Sequence, residues 1–397
     1  MTSAVIVDAI RSPMAKGKAE KNGKPGGALS SVHPVELLAQ VFRSLIDRSG
    51  LDSAIVDDVI AGCVSQVGEQ SGGVGRFAWL AGGLAETVPG VTINRACGSS
   101  QQAADFAAQG IIAGAYDIVV AGGVESMSRV PMFASRIGQD PFGALVNERY
   151  APGLVQQGIS ADLIASRWKL TRRELDDYAA QSHQRATDAD FSREIVSIVT
   201  DRTNGKTVSV DETIRPTTTA QKLSELKPSF YDDAMAQRFP EIDWTITAGN
   251  SSQLADGAAA VLIMSEERAN ALGLRARARF HSFAVAADDP IAMLTGPIPA
   301  TEKLLARSGI TIDDIDHFEV NEAFAPVPLA WSKHFGVDPK KVNPRGGAIA
   351  LGHPLGGSGA RLLTTMLHAL EDNGGRYGLQ TMCEAGGMAN ATLIERL

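Results

Sequence analysis

Apolar positions along this chain fall into two kinds of run. Ala4-Val5-Ile6-Val7-Asp8-Ala9, Val88 to Ile93, Ile60-Ala61-Gly62-Cys63-Val64 and the stretch ending at Gln380-Thr381-Met382-Cys383 read as strands. Gln101 to Ala113, rich in small residues, and Ala360 to Leu370 read as helices, each following a turn of glycine and serine. Thr171-Arg172-Arg173-Glu174 opens a third helix, running to Thr187, with Thr171 and Glu174 spaced as a capping box. Strands that alternate with helices through glycine-rich turns predict an α/β fold.

The pattern repeats. Ser49-Gly50-Leu51 followed by Ile55 to Asp58 matches Ser308-Gly309-Ile310 followed by Asp314 to His317, 259 positions later, and the same offset carries Gly98-Ser99 onto Gly357-Ser358. A slightly larger offset carries Ala121-Gly122-Gly123 onto Ala385-Gly386-Gly387. Two duplicated halves are therefore expected: an N-terminal half of residues 1–119 and 247–274, and a C-terminal half of 275–397. Residues 120–246 are more charged and are interrupted by prolines at 131, 141, 152, 216, 228 and 240, so they read as an inserted loop domain that shapes a binding site.

Bulk properties narrow the function. With 397 residues the chain exceeds one typical core, and 44% hydrophobic content with 40 glycines suits a globular α/β protein. A net charge of −8 argues against a general nucleic-acid or membrane-surface role. Three cysteines suit a reducing compartment. No basic and apolar leader precedes the first strand, so cytoplasm is the expected location, and no metal cluster stands out.

Three constellations carry candidate chemistry. Cys97 lies between a strand and a helix, where free backbone N–H groups would favour thiolate over thiol and leave donors for an oxyanion; the plain alternative is a small buried hydrophobe. His353, in Gly346 to Gly359, occupies a turn that Pro354 and its glycines keep from being an ordinary helix, from which an imidazole would reach Cys97 across the two halves; its alternative is a structural histidine. Cys383 ends a strand beside a glycine turn, where a thiol of near-neutral pKa would exchange protons, the alternative being a disulfide with Cys97. Cys63 reads as a buried strand residue.

Together with Arg11-Ser12-Pro13, Gly122 to Ser128, Thr247 to Ser252 and Asn321-Glu322-Ala323-Phe324-Ala325, these blocks closely resemble the thiolase family over essentially the whole chain. The resemblance implies a five-layer αβαβα fold and acyl transfer between coenzyme A thioesters: thiolytic cleavage of a 3-ketoacyl-CoA, reversible as Claisen condensation. It implies Cys97 as the acylated nucleophile, His353 as its base and Cys383 as the second acid/base. Asn321 would hold a water at the enolate oxygen, and the N–H groups of Cys97 and Ala385 would form the other oxyanion hole. Ala385 stands where the family usually has glycine, which would cost about 1 kcal/mol at positive φ.

Arg215 and Ser252 match positions that contact coenzyme A; a solvated surface charge and a helix cap are their alternatives. Gln156 replaces a histidine frequent in acetoacetyl-CoA enzymes, which tilts the reading toward a 3-ketoacyl-CoA thiolase with a different acyl pocket. No permanently bound cofactor is implied, with CoA and acyl-CoA acting as substrates. A homodimer or homotetramer and a β-oxidation partner enzyme follow from the resemblance alone. The competing readings are a biosynthetic acetoacetyl-CoA thiolase and a non-catalytic acyl-CoA-binding relative.

Overall fold

The first apolar run forms β1 (Ala4–Arg11), buried at every position. A strand buried on both faces needs cover on both, and β1 lies near the middle of a layered sheet system in the computed structural model, which describes residues 2–397. After it come β2 (Ala15–Lys16), α1 (Pro34–Ser49), β3 (Asp58–Gly62), α2 (Val74–Ala81), β4 (Gly90–Ile93), α3 (Ser99–Ile112) and β5 (Ile118–Ser126). The inserted segment follows, with α4 (Gly143–Arg149), α5 (Gln157–Arg167), α6 (Arg172–Asp188), β6 (Ile198–Asp201), β7 (Lys206–Val208), α7 (Ala220–Ser224) and α8 (Asp233–Arg238). The chain returns to the sheet in β8 (Ala255–Ser265), then α9 (Glu266–Ala271) leads into the second half. That half holds β9 (Ala278–Ala287), α10 (Pro297–Ser308), β10 (His317–Val320), α11 (Pro326–Phe335), α12 (Ala348–Leu351), α13 (Ser358–Asn373), β11 (Tyr377–Glu384) and β12 (Met388–Arg396).

Strand order displays the repeat. The first half runs β4-β3-β5-β8-β1 and the second β10-β11-β12-β9, joined where Val5 and Ile6 pair with Arg279 and Ala278. Pairing directions match: β3 lies parallel to β5 and β5 antiparallel to β8, as β10 lies parallel to β11 and β11 antiparallel to β12. β3 and β10 begin at 58 and 317, α3 and α13 at 99 and 358, β5 and β11 at 118 and 377, each pair 259 apart. The larger offset is overturned. Ala121 to Gly123 lie inside β5, whose counterpart is the interior of β11, whereas Ala385 to Gly387 form the β11–β12 turn. A short match of alanine and glycine carries no register information.

Helices make the remaining layers. α1 presents Leu37, Leu38, Val41, Phe42 and Leu45 to one outer face of the first sheet, over Val5, Val120 and Leu262. Trp331 of α11 and Leu304 of α10 cover Phe318, Leu379 and Leu393 on the outer face of the second. Between the sheets, Ala103, Ala104, Ala107 and Ala108 of α3 meet Leu363, Met366 and Leu367 of α13. Alanines allow the close approach, and each fully buried leucine contributes roughly 1.5–3 kcal/mol. The order is helix, sheet, helix, sheet, helix, the five layers expected.

The insertion begins later than residue 120. β5 continues through Gly122 and Gly123 to Ser126. They are glycines because of crowding: a Cβ on Gly123 would lie 2.2 Å from Gly356 O and 2.7 Å from Gly62 O. Within the insertion α6 carries the anticipated capping box. Its Tyr178 and Ser182 hydroxyls donate to Glu322 at 2.9 and 2.7 Å, tying it to the second half. Arg11 is fully buried and reaches the same segment through Glu194 at 2.6 Å and Asp211 at 2.7 Å.

Candidate active site

Cys97 stands at the end of a constrained turn. Asn94 Oδ1 accepts the Ala96 N–H at 2.8 Å, while Ser99 Oγ accepts from the Arg95 N–H at 2.9 Å and donates to Ala96 O. These bonds hold Ala96 at φ 45°, a left-handed conformation that costs about 1–2 kcal/mol in a non-glycine residue. The sulfur lands beside the first turn of α3, with Cys97 only 4% exposed. Burial pushes its thiol up to about 12, Glu384 and Glu125 add to the rise, and its own backbone N–H and the Gln157 side chain oppose it. The thiolate expected at this helix start is therefore not the resting form. Removing the sulfur from water outweighs the half charge of a helix terminus.

His353 sits between α12 and α13. Gly352 at φ 87° and the turn at Leu355 to Gly357 break the helix, and the His353 N–H donates to Gln253 O at 2.9 Å. Ser358 Oγ donates to Pro354 O at 2.9 Å and lies 2.6 Å from His353 Nδ1. A hydroxyl whose proton is committed can only accept, so Nδ1 carries the imidazole proton. That assigns the lone pair to Nε2, where Asn321 Nδ2 approaches at 3.4 Å. Burial and then the Arg361 charge push His353 down to about 3, leaving a neutral imidazole able to accept a proton.

Cys383 lies on β11 and is 1% exposed. Burial raises its thiol well above the ordinary range, and the neighbouring Cys97 and Glu384 add to the rise. The near-neutral pKa expected for it is overturned by the same desolvation. Cys97 is among the groups that act on the Cys383 thiol and packs beside Met382, the residue before Cys383; Cys63, Cys97 and Cys383 are all free thiols. Glu125 ties the two halves together beneath them, accepting from Val64, Ser65 and Gly356 N–H at 2.9, 3.0 and 2.8 Å. α3 and α13 meet at their starts, where Ala360 N–H donates to Ser100 Oγ at 2.9 Å. Cys97 clusters with Leu355, two residues beyond His353, and with Met382, next to Cys383, so the segments that carry these side chains, with Asn321 against His353, adjoin where the two central helices begin.

The remaining positions divide. Ala385 occupies the β11–β12 turn outside the left-handed region, which falls to Gly386 at 85° and Gly387 at 81°, so the expected steric cost does not arise. Arg215 is exposed and donates from Nη2 to Gln253 Oε1 at 2.7 Å. Ser252 is half-buried and donates its N–H to Ala323 O at 2.9 Å; β8 follows it, so it caps no helix. Gln156 is exposed at the start of α5 with no capping bond, and its neighbour Gln157 is the side chain that reaches Cys97.

Three residues of the site went unmarked in the sequence reading. Ser358 orients the imidazole, Gln253 holds the His353 loop through Thr213 O, Ile349 O and Ala350 O, and Glu384 approaches both thiols. Glu384 had a visible signal, a carboxylate directly after Cys383 at the end of β11. Among the described residues no cluster of histidine, cysteine or carboxylate side chains is arranged to hold a metal.

Residues 4–267 match the thiolase N-terminal domain family and residues 274–396 the thiolase C-terminal domain family. The chain belongs to the thiolase family. It is 47% identical over 409 residues to a steroid 3-ketoacyl-CoA thiolase of Mycobacterium tuberculosis, covering 100% of this chain and 95% of that protein. A 3-ketoacyl-CoA thiolase of Pseudoalteromonas translucida is 43% identical over 407 residues, covering 100% of both. Among solved structures, the Bacillus anthracis acetyl-CoA acetyltransferase superposes with a TM-score of 0.87 at 36% identity, covering 100% of this chain and 99% of that one.

Proposed function

We propose that this thiolase cleaves 3-ketoacyl-CoA with free CoA, giving acetyl-CoA and a shortened acyl-CoA, through a thioester on Cys97. What supports this reading is that two buried free thiols lie on segments packed against the loop of a buried, neutral imidazole that Asn321 approaches. His353 Nε2 takes the Cys97 proton as sulfur adds to the C3 carbonyl. The C2–C3 bond then breaks, its electron pair passes to the acetyl-CoA enolate, and the Cys383 thiol protonates C2. Next, CoA gives its thiol proton to the Cys383 thiolate and attacks the Cys97 thioester, and the expelled Cys97 sulfur recovers its proton from His353. The N–H groups of Cys97 and Ala385 serve the tetrahedral oxygen, and Asn321, through a water, serves the enolate oxygen with His353.

The curated relatives described above carry 3-ketoacyl names, which favours the degradative direction and an acyl pocket larger than acetyl. The structural neighbour favours the second reading, an acetoacetyl-CoA enzyme. Arg215 and Ser252 would lie along the CoA arm and Gln156 near the acyl group, with no permanently bound cofactor. A two-fold dimer, or a tetramer made of two such dimers, accords with the edge strand β4 and the exposed Phe77, Val91 and Phe106 on adjoining elements. No described helix is long and apolar enough to cross a membrane. This reading places the protein in the cytoplasm, fed by an enzyme that oxidises 3-hydroxyacyl-CoA.

The test is CoA-dependent loss of the 3-ketoacyl enolate absorbance with acetoacetyl-CoA, longer straight-chain and steroid side-chain substrates, alongside intact mass of the quenched protein. Turnover of the longer substrates, with an acyl adduct that Cys97→Ser abolishes, is expected. Turnover of acetoacetyl-CoA alone would move the assignment to the second reading. An adduct that survives Cys97→Ser, or binding with no cleavage at all, would refute the mechanism.

A further inference from the structure

Beside the two reactive thiols lies a carboxyl that the steps above leave unused. Glu384 closes β11, is fully buried, and has no hydrogen-bond partner on either oxygen. Asn390 on β12 donates from Nδ2 to Asp105 Oδ2 at 3.1 Å and to Gln102 Oε1 at 3.2 Å, while its own Oδ1 has no partner. A Cβ built on Gly98 would lie 1.9 Å from Glu384 Oε1 and 3.2 Å from Asn390 Oδ1, so both oxygens border one point at the start of α3. A buried carboxylate that no side chain pairs is costly to ionise, a cost that Arg95 and the Asn390 backbone N–H offset only in part, and a proton on the carboxyl lowers it. Asp105 is already committed, accepting from Thr392 Oγ1 at 2.7 Å and from Asn390.

We propose that Glu384 is a positioning residue that carries a proton in the resting enzyme and whose ionisation sets a negative charge against Cys97 and suppresses its thiolate. The inference rests on Cys97 being the nucleophile. The titratable and charged groups that face Glu384 are Cys97 and Arg95 in the turn before α3, Asp105 on α3 and Cys383 on its own strand; β12 presents the neutral Asn390. Burial pushes the carboxyl up to about 8, with Arg95 opposing the rise and Asp105 adding to it. Glu384 is in turn the charged group that most raises the Cys97 thiol after burial itself. The proton on Glu384 therefore keeps the pocket free of a charge that would compete with the thiolate.

The test is the rate of Cys97 alkylation by iodoacetamide in the full-length protein, read by peptide mass from about pH 6.5 to 9.5. Glu384→Gln mimics the neutral acid, so its rate should coincide with wild type near pH 6.5. Above about pH 8 the variant should react roughly threefold to tenfold faster, since one unit of thiol pKa is tenfold in thiolate. Curves that stay parallel throughout, or a variant already faster at the acid end, would overturn the proposal. Glu384→Leu removes the charge without leaving a buried polar group and carries the same expectation. Wild type alone should show a break near pH 8 in the logarithm of rate against pH, and an unbroken rise would count against the idea even if neither variant folds. Alkylation is read on Cys97 without turnover, so a failure here is separate from a failure of the thiolysis assay.

Discussion

Ser358→Ala deletes one oxygen from the middle of the site. In wild type that oxygen accepts from His353 Nδ1 at 2.6 Å and donates to Pro354 O, which also accepts the Gly357 N–H at 2.9 Å. The carbonyl therefore keeps a partner and the imidazole does not. An orphaned buried N–H costs about 1–3 kcal/mol. Two responses are open: the protein bears that cost, or the proton moves to Nε2 and meets the Asn321 donor 3.4 Å away. The second response consumes the lone pair that the proposed mechanism uses to accept the Cys97 proton. Since 1.4 kcal/mol is a factor of ten in rate, kcat for thiolysis should fall roughly tenfold to hundredfold, with KM within about twofold. The assay is steady-state thiolysis of a 3-ketoacyl-CoA, paired with quenched-flow mass measurement of the Cys97 adduct. A kcat within twofold of wild type, with imidazole 15N shifts still reporting a proton on Nδ1, would refute the assignment of the tautomer to Ser358.

Gly359→Ala tests the contact between the central helices: its Cβ would stand 2.2 Å from the backbone nitrogen of Gln101, so a loss of about 3 kcal/mol or more in denaturant unfolding is expected. Gly374→Ala, at φ 72° with nothing within 4 Å, should lose only about 1 kcal/mol, and similar losses at the two sites would contradict the packing described. The folded-state pKa values of Glu384, about 8, and Asp105, about 7, are raised by burial, so their contribution is complete at low pH and disappears as pH rises through those values. His353 and His183 are pushed down to about 3 and 4, so their contribution changes only below the ordinary histidine range. Between about pH 6.5 and 9 the wild-type denaturation midpoint should therefore fall further than that of Glu384→Gln, by an amount equivalent to roughly 1–2 kcal/mol, and equal slopes would exclude the assignment.

What the residues alone revealed were features written in local pattern. β1, α3 and the Thr171 capping box depend on neighbours within a few positions, and the 259-residue offset survives because it is a difference of positions. The boundary near 120, read from charge and prolines, fell inside β5 because composition averages over more residues than a strand end occupies. Gly122 and Gly123 occur where a strand is pressed against Gly62, Ala259 and Gly356, partners absent from the local sequence. Gln156 and Gln157 are indistinguishable as letters, and only the phase of α5 decides that Gln157 faces the sulfur. Desolvation is likewise a property of the assembled layers, so the depth that raises both thiols and lowers His353 had no trace in the motifs.

Those shifts share one consequence for the chemistry. With the Cys97 thiol raised, His353 lowered and Cys383 raised, the resting pocket favours neutral forms of all three groups, and a preformed thiolate–imidazolium pair is disfavoured on both sides. In the proposed reaction, proton transfer from Cys97 then accompanies addition of sulfur to the carbonyl, when the developing charge leaves sulfur for an oxygen. Donors fixed at that oxygen stabilise the charge only in that transition state, which is the condition for raising kcat. A pocket built this way leaves its thiols protonated and weakly nucleophilic until a thioester arrives, since thiolate is the reactive form toward alkylating agents and oxidants. A single ionised carboxylate would shift that balance further toward the thiol, which makes the protonation state of Glu384 part of the arrangement of the site.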